Sequence, residues 1–439
     1  MDFQTLGLQK KICSLVDVAG YTEPTPIQEK TIPLVISGKD VMGLAPTGTG
    51  KTAAFVLPIL QRLGTPSAAG IRCLVIAPTR ELAEQIHGVF ELFSPAYNLR
   101  SAVVYGGVSA LPQIRNFKRG LDVLVACPGR LLDHLQQRNL TLKSLEILVL
   151  DEADHMFDMG FLPNIRAIIA QVPKTRQTLL FSATMPAEIK HLALEILQQP
   201  QTIDLNKNAP VNTVSHALYP VSQHLKTQLL LRLLKELQSD SVIVFTRTKF
   251  RAKRVSEQLQ KQGFNATPLQ GNMSQNRRQE SLNGFREGTY QILVATDIAA
   301  RGIDVSCVSH VINYDIPDTV DAYTHRIGRT GRALQTGAAF TFYTDEDHAE
   351  ITAVERRLGY RIERKELPGF DYTEKPGQLH KTEFSRPSNP RFNAPRQKAN
   401  SGTASAGSQQ GFMKPASSRF SRRPAGYASQ RQGMRKTNG

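Results

Sequence analysis

The octapeptide Ala45-Pro46-Thr47-Gly48-Thr49-Gly50-Lys51-Thr52 constrains this chain more than any other stretch. Residues 40–45 read as a short buried strand, and Ala53, Phe55, Val56, Leu57, Ile59, Leu60 and Leu63 as an apolar helix with a candidate kink at Pro58. A glycine-rich turn between strand and helix aims successive backbone N–H groups at one point, where the helix dipole also favours negative charge. Lys51 can then reach outer phosphates, and the Thr52 hydroxyl suits a Mg²⁺ ion bridging them. Ala45 stands where the usual pattern has its first glycine.

The rest of the first half fits that start. Strand-like runs at 72–77, 102–105, 123–126, 147–150 and 178–181 alternate with helix-like segments such as 81–93. Continuous apolar strands separated by helices imply a parallel sheet covered on both faces, with ligands bound beyond the carboxyl ends of the strands. The polar motifs fall at those ends: Pro78-Thr79-Arg80, Pro128-Gly129-Arg130, Asp151-Glu152-Ala153-Asp154 and Ser182-Ala183-Thr184. A polar stretch at 206–214 reads as a linker. A second alternating run follows, with strands at 242–245, 266–269, 292–295, 308–313 and 338–342 and helices at 249–262 and 275–285. It has no phosphate loop of its own. It offers cations instead: His325-Arg326-Ile327-Gly328-Arg329-Thr330-Gly331-Arg332 spaces three arginines three residues apart.

Charge separates the tail from the body. The chain of 439 residues carries +16, and residues 384–439 hold eleven Lys/Arg and no Asp/Glu. Taking those eleven away leaves about +5, ordinary for a globular body. Pro, Ser, Gly, Asn, Gln and Arg dominate after Leu367, so the segment is expected to be disordered. Its arginines interleave with Phe384, Phe392, Phe412, Phe420 and Tyr427, which suits phosphates and stacked bases. No apolar run reaches membrane-spanning length, and the N-terminus lacks a secretory layout. Four scattered cysteines fit reduced thiols rather than disulfides or zinc. A cytoplasmic location is expected.

Asp151 and Glu152 end an apolar strand, where one carboxylate can hold the Mg²⁺ approached by Thr52 and its neighbour can orient an attacking water. Guanidiniums from the second half can stabilise charge on a transferring phosphoryl group. In Gly20-Tyr21-Thr22-Glu23-Pro24-Thr25-Pro26-Ile27-Gln28 two prolines set a rigid turn, and a glutamine amide matches the N6/N7 edge of adenine. In this order and at this spacing, these motifs resemble the DEAD-box family of ATP-dependent RNA helicases over about residues 1–367. The resemblance includes Pro78–Ala83, Gly106-Gly107, Val244-Phe245-Thr246, Gln275 with Arg278, Ala295-Thr296-Asp297 and Ala300–Asp304. The short N-terminus and basic tail look most like the bacterial RhlE-type branch.

The resemblance implies two tandem RecA-like parallel-sheet domains of α/β class, at 1–205 and 215–367, joined by a linker at 206–214 and followed by a disordered basic tail at 368–439. It implies ATP and Mg²⁺ as cofactors and RNA as partner, with little sequence preference. Gln28 then reads adenine and Tyr21 stacks near it. Ala45, Pro46, Thr47, Gly48, Thr49, Gly50, Lys51 and Thr52 hold phosphates, and Thr52 and Asp151 serve the metal, Asp151 through its water shell. Glu152 positions the hydrolytic water, Asp304 binds the ribose, and Arg329 and Arg332 act as arginine fingers. Thr79, Arg80, Gly107, Gly129, Arg130, Thr296 and Gly302 line the RNA backbone, while Ser182, Thr184, Asp154 and His325 couple hydrolysis to strand separation. Two positions depart from the family: Cys127 replaces a threonine, and Gln270 a frequent histidine. Ribosome-assembly and RNA-decay proteins are both usual partners of such chains. An ATP-gated RNA clamp with little unwinding uses the same motifs and stays open at this point; a DNA helicase is disfavoured by the Gly20–Gln28 segment.

Overall fold

Apolar runs of four to seven residues that are buried on both faces can hydrogen-bond side by side only if helices cross over them. The computed structural model, which describes residues 2–46, 48–64, 66, 70–205, 214–237, 239, 241–300, 308–331 and 337–374, contains two such sheets. The first comprises β1 (Val41–Leu44), β2 (Cys73–Ile76), β3 (Ser101–Val104), β4 (Val123–Ala126), β5 (Ile147–Leu150), β6 (Gln177–Ser182) and β7 (Gln201–Asp204), in the order β3-β4-β2-β5-β6-β1-β7. The second comprises β8 (Val214–Pro220), β9 (Val242–Phe245), β10 (Ala266–Leu269), β11 (Ile292–Ala295), β12 (His310–Asn313), β13 (Gly337–Tyr343) and β14 (Glu363–Arg364), ordered β10-β11-β9-β12-β13-β8-β14. Every strand pair is parallel, which is the RecA-like arrangement of each half.

Strand order explains why motifs far apart in sequence meet. β5, β6 and β1 are neighbours in register, with Leu44 opposite Ser182 and Leu150 opposite Leu180. Adjacent strands lie about 4.8 Å apart. The phosphate loop, the Ser182–Thr184 turn and the Asp151–Asp154 turn therefore leave the sheet side by side. Gly43 is needed for this packing, because a Cβ there would sit 2.6 Å from the Phe181 ring. That ring in turn lies 5.4 Å from Phe55 on the helix Lys51–Leu63, fixing the helix over its sheet.

Three strands escaped the sequence reading. β7 (Gln-Thr-Ile-Asp) buries one side chain fully, as an edge strand does, and lacks an apolar run. β8 begins polar, and its first residue, Val214, lies within the stretch read as linker; residues 206–213 are outside the described set. β14 is two exposed residues paired with β8. The tail from residue 375 is likewise outside the described residues, as are Thr47, residues 301–307 and Arg332. Cys13, Cys73 and Cys127 are free thiols. Among the described residues no helix is long and apolar enough to cross a membrane.

Candidate functional site

The phosphate loop needs a backbone that only glycine adopts cheaply. Gly48 and Gly50 have φ of +79° and +88°. Gly50 also N-caps the helix Lys51–Leu63, so its left-handed turn points the helix amino end at the loop. Lys51 is buried, and its Nζ donates to the Ala45 carbonyl at 2.7 Å, spanning the loop. Thr49 Oγ1 closes the loop by donating to the Pro46 carbonyl at 2.8 Å.

Gln28 and Thr25 hold the loop from outside. Gln28 Nε2 donates to the Gly50 carbonyl at 3.1 Å, its Oε1 accepts from Thr25 N–H at 3.0 Å, and Thr25 Oγ1 donates to the Thr49 carbonyl at 2.8 Å. The amide expected to read a base is thus already a brace for the loop, with one N–H and one lone pair remaining. Tyr21 is half-buried, edge-on to Phe3 at 6.4 Å and to Phe93 at 6.0 Å. A Cβ at Gly50 would approach Gln28 Nε2 to 2.5 Å at a φ that already disfavours L side chains. Gly50→Ala is therefore expected to cost about 1–2 kcal/mol locally and to weaken nucleotide binding roughly tenfold. Titration with a fluorescent ADP analogue checks this; unchanged affinity would mean that the brace is dispensable.

The acidic turn is built under strain. Glu152 takes a left-handed conformation (φ +52°) at the head of the helix Ala153–Asp158, an outlier for a residue with a side chain. Asp151, Glu152 and Asp154 are all buried. Burial pushes the Asp151 carboxyl up to about 7, with Lys51 opposing and Glu152 and Asp154 adding to the rise. Burial also raises Glu152, but His155, Lys51 and Arg329 outweigh it and hold that carboxyl at about 2. Asp154 falls below the usual carboxylate range: burial opposes this, while His155, His325 and the Thr184 N–H bring it about.

The residues expected to couple the site to its surroundings do meet. Asp154 Oδ2 accepts from Ala183 N–H (3.2 Å), Thr184 N–H (2.8 Å) and Thr184 Oγ1 (3.0 Å), while Ser182 Oγ accepts from Asp154 N–H at 3.2 Å. His325, from the helix Val320–Ile327 of the second sheet's lobe, places Nε2 4.0 Å from that same oxygen. Arg329 is buried, and its charge acts on Glu152. Arg326, the first of the three spaced arginines, turns inward instead. It forks onto Asp297 at 2.6 and 2.7 Å, and it donates to Asn313 and the Asp315 carbonyl. Asp304 and Arg332 lie outside the described residues.

A cavity of about 330 Å³ opens between the lobes, lined by Thr79, Arg80, Cys127, Gly129 and Arg130 from one and by Gly271, Met273 and Arg278 from the other. Thr79 N-caps the helix Arg80–Phe93. Gly107 lies beneath the Arg80 guanidinium, at φ +77°. Arg130 donates twice to the Val108 carbonyl, both at 3.2 Å. Thr296 follows β11 and its N–H reaches the Leu269 carbonyl at 3.4 Å; Gly302 is outside the described residues. Cys127 caps the helix Pro128–Gln136 without a side-chain bond, and burial pushes its thiol up to about 12, leaving it an apolar wall. Gln270 closes its own turn by accepting from Asn272 N–H at 2.6 Å.

Two features were not foreseen as functional. Glu81 Oε1 accepts from Arg278 Nε at 2.7 Å across the lobes, 197 residues apart in sequence, with both residues buried. His155 touches both Glu152 and His325. The Gln275-x-x-Arg278 spacing was a signal for the first; a lone histidine after an acidic turn was none for the second.

With this geometry in hand, comparison with known proteins is decisive. A DEAD/DEAH box helicase profile matches residues 25–192, and a helicase conserved C-terminal domain profile matches residues 225–334. The chain is 42% identical over 370 residues to the DEAD-box ATP-dependent RNA helicase CshA of Geobacillus kaustophilus, covering 84% of this chain and 79% of that protein. It belongs to the DEAD-box helicase family. Among solved structures it is similar to S. cerevisiae Dbp5 bound to RNA and ADP BeF3, at 30% identity and a TM-score of 0.74, over 83% of this chain and 95% of that one. A DEAD box protein from Methanococcus jannaschii aligns over 83% of this chain and 99% of its own, at 35% identity and a TM-score of 0.51. The RhlE-type placement finds no support, since the similar relatives carry the name CshA. It rested on a short N-terminus and a basic tail, neither of which holds a motif to align.

Proposed function

We propose that this DEAD-box protein is an RNA-stimulated ATPase that couples ATP hydrolysis to local unwinding of RNA or remodelling of RNA–protein complexes. The observation that carries the reading is the division of the site: the phosphate loop and Glu152 stand on one lobe, and the Arg329 charge that acts on Glu152 comes from the other. The names of the relatives, ATP-dependent RNA helicases, favour unwinding over a passive clamp.

In this reading the loop from Ala45 to Thr52 cradles the phosphates, and Lys51 exchanges its carbonyl partner for them. Tyr21 and the spare capacity of Gln28 take the base, and Asp304 the ribose. Thr52 and Asp151 would hold Mg²⁺. Asp151 is buried with too little positive charge beside it, which suits a cation there. The ion would supply charge neutralisation on the phosphates. Glu152 accepts a hydrogen bond from the attacking water, and the positive groups around it favour the ionised carboxylate that can do so. Arg329 and Arg332 stabilise charge as the phosphoryl group transfers. Thr79, Arg80, Gly107, Gly129, Arg130, Thr296 and Gly302 grip one RNA backbone across both lobes, so RNA contributes binding energy to closure. The Ser182/Thr184–Asp154–His325 cluster transmits closure between the two sites.

ATPase rate with and without RNA tests this: a large RNA-dependent increase is expected, and equal rates would refute coupled closure. The basic tail is read as a non-specific RNA anchor. Deletion from Phe384 onward is expected to weaken RNA binding and flatten its salt dependence while leaving the RNA-saturated rate nearly intact. RNA affinity that stays unaltered at every salt concentration would assign the tail another task. A cytoplasmic site of action and partners in ribosome assembly or RNA decay complete the proposal.

A further inference from the structure

His155 directly follows the acidic tetrad and is wholly buried. Its Nδ1 lies 2.8 Å from Glu152 Oε2, and its Nε2 lies 3.1 Å from Nδ1 of His325 on the other lobe. The two imidazoles meet edge to face, with centroids 4.6 Å apart. An ionised carboxylate only accepts, so Nδ1 carries its hydrogen toward Glu152 and Nε2 is the atom that meets His325. One ring therefore joins the carboxylate of the first lobe to a motif residue of the second. The bond engages Oε2 alone, leaving Oε1 as the oxygen a water can approach. Asp154 Oδ2 also faces His325, at 4.0 Å from its Nε2, but that oxygen holds the Ser182–Thr184 turn, whereas His155 is bonded to Glu152 itself.

We propose that His155 is a positioning residue for hydrolysis: its Nδ1 fixes the Glu152 carboxylate, and its Nε2 makes that orientation depend on His325, and so on lobe closure. The inference rests on the water-orienting role given to Glu152 above. Among the described hydrogen bonds, the one from His155 Nδ1 anchors the Glu152 carboxylate, and the far side of that ring finds His325 only when the lobes meet. Loss of such an anchor moves an attacking group by a fraction of an ångström, which is enough to slow chemistry without altering nucleotide affinity.

The two nitrogens can be tested separately. Asparagine places its amide nitrogen near Nδ1, and glutamine places its own near Nε2. His155→Gln is expected to lower kcat at saturating ATP and RNA about tenfold or more, with KM for ATP within about twofold of wild type. His155→Asn is expected to keep kcat within about threefold, but to need more RNA for half-maximal stimulation, having lost the contact with His325. His155→Ala should behave as Gln does; if it fails to fold, the Asn and Gln pair carries the test, with matched melting temperatures. Equal kcat losses in Asn and Gln, a wild-type rate in Gln, or a loss appearing only in KM would each overturn the proposal. Glu152→Gln run alongside separates the two readings. If it abolishes turnover while His155→Gln does not, only the role of His155 falls; if it retains full turnover, the role of Glu152 has failed.

Discussion

Replacing Arg329 by alanine is expected to lower kcat at saturating ATP and RNA about a thousandfold, equivalent to about 4 kcal/mol of transition-state stabilisation. Arg329 is buried on the second lobe, yet its charge is among those that hold Glu152 ionised on the first. A positive charge that reaches the carboxylate proposed to position the attacking water also reaches the place where charge would spread over the phosphoryl oxygens in the transition state. In a dry site, charge stabilisation is worth far more than the same contact in water. Because the ground state of the nucleotide has less need of it, KM for ATP should move little. Arg329→Lys should recover only part of the loss, since an ammonium lacks the planar fork. Stopped-flow phosphate release measures it. A variant within about tenfold of wild type would remove Arg329 from the chemistry and leave the two-lobe division of the site without its cause.

Much of this is legible in the sequence. The phosphate loop was readable because its glycines answer a backbone demand: Gly48 and Gly50 do lie at positive φ. Apolar runs such as Ile147–Leu150 and Ile292–Ala295 could only be strands buried on both faces, and they are. β7 was missed because burial on an edge is one-sided and four residues such as Gln-Thr-Ile-Asp give no period; β8, an inner strand between β13 and β14, was missed because its first residues are largely polar and not fully buried. Arg326 shows the limit at the site. Its spacing is the same as that of Arg329, yet Asp297 and Asn313 claim it for the interior of its own lobe. Spacing tells which side chains share a helix face or a loop; it does not tell which carboxylate a distant strand will present to them. For the same reason spacing did not show that the Gln28 amide, expected to read adenine, also braces Gly50.

The two lobes also need a reason to prefer contact with each other over contact with water. The Glu81–Arg278 pair supplies one, and it carries the second large prediction. Both residues are buried where the lobes meet, and Gln275 Nε2 adds a second donor to Glu81 Oε1 at 3.3 Å. Stripping water from two charges is costly, and only good geometry offsets it. Removing one partner leaves the other buried and uncompensated, at a cost of about 3–5 kcal/mol to the closed form. Arg278→Glu is worse, since it opposes two carboxylates. Catalytic efficiency with respect to RNA is therefore expected to fall about a hundredfold or more, and the RNA-independent rate, which also needs Arg329 from the second lobe, is expected to fall with it. The exchange Glu81→Arg with Arg278→Glu should regain at least about tenfold over either single change. It will not regain everything, because Arg278 also donates to the Gln270 and Ala299 carbonyls, which a glutamate cannot satisfy. RNA-titrated ATPase assays of the four proteins decide the matter. If the double variant is no better than the singles, the pair is a bystander to closure, and the energy that brings the lobes together must come from the RNA track and the histidine contact alone.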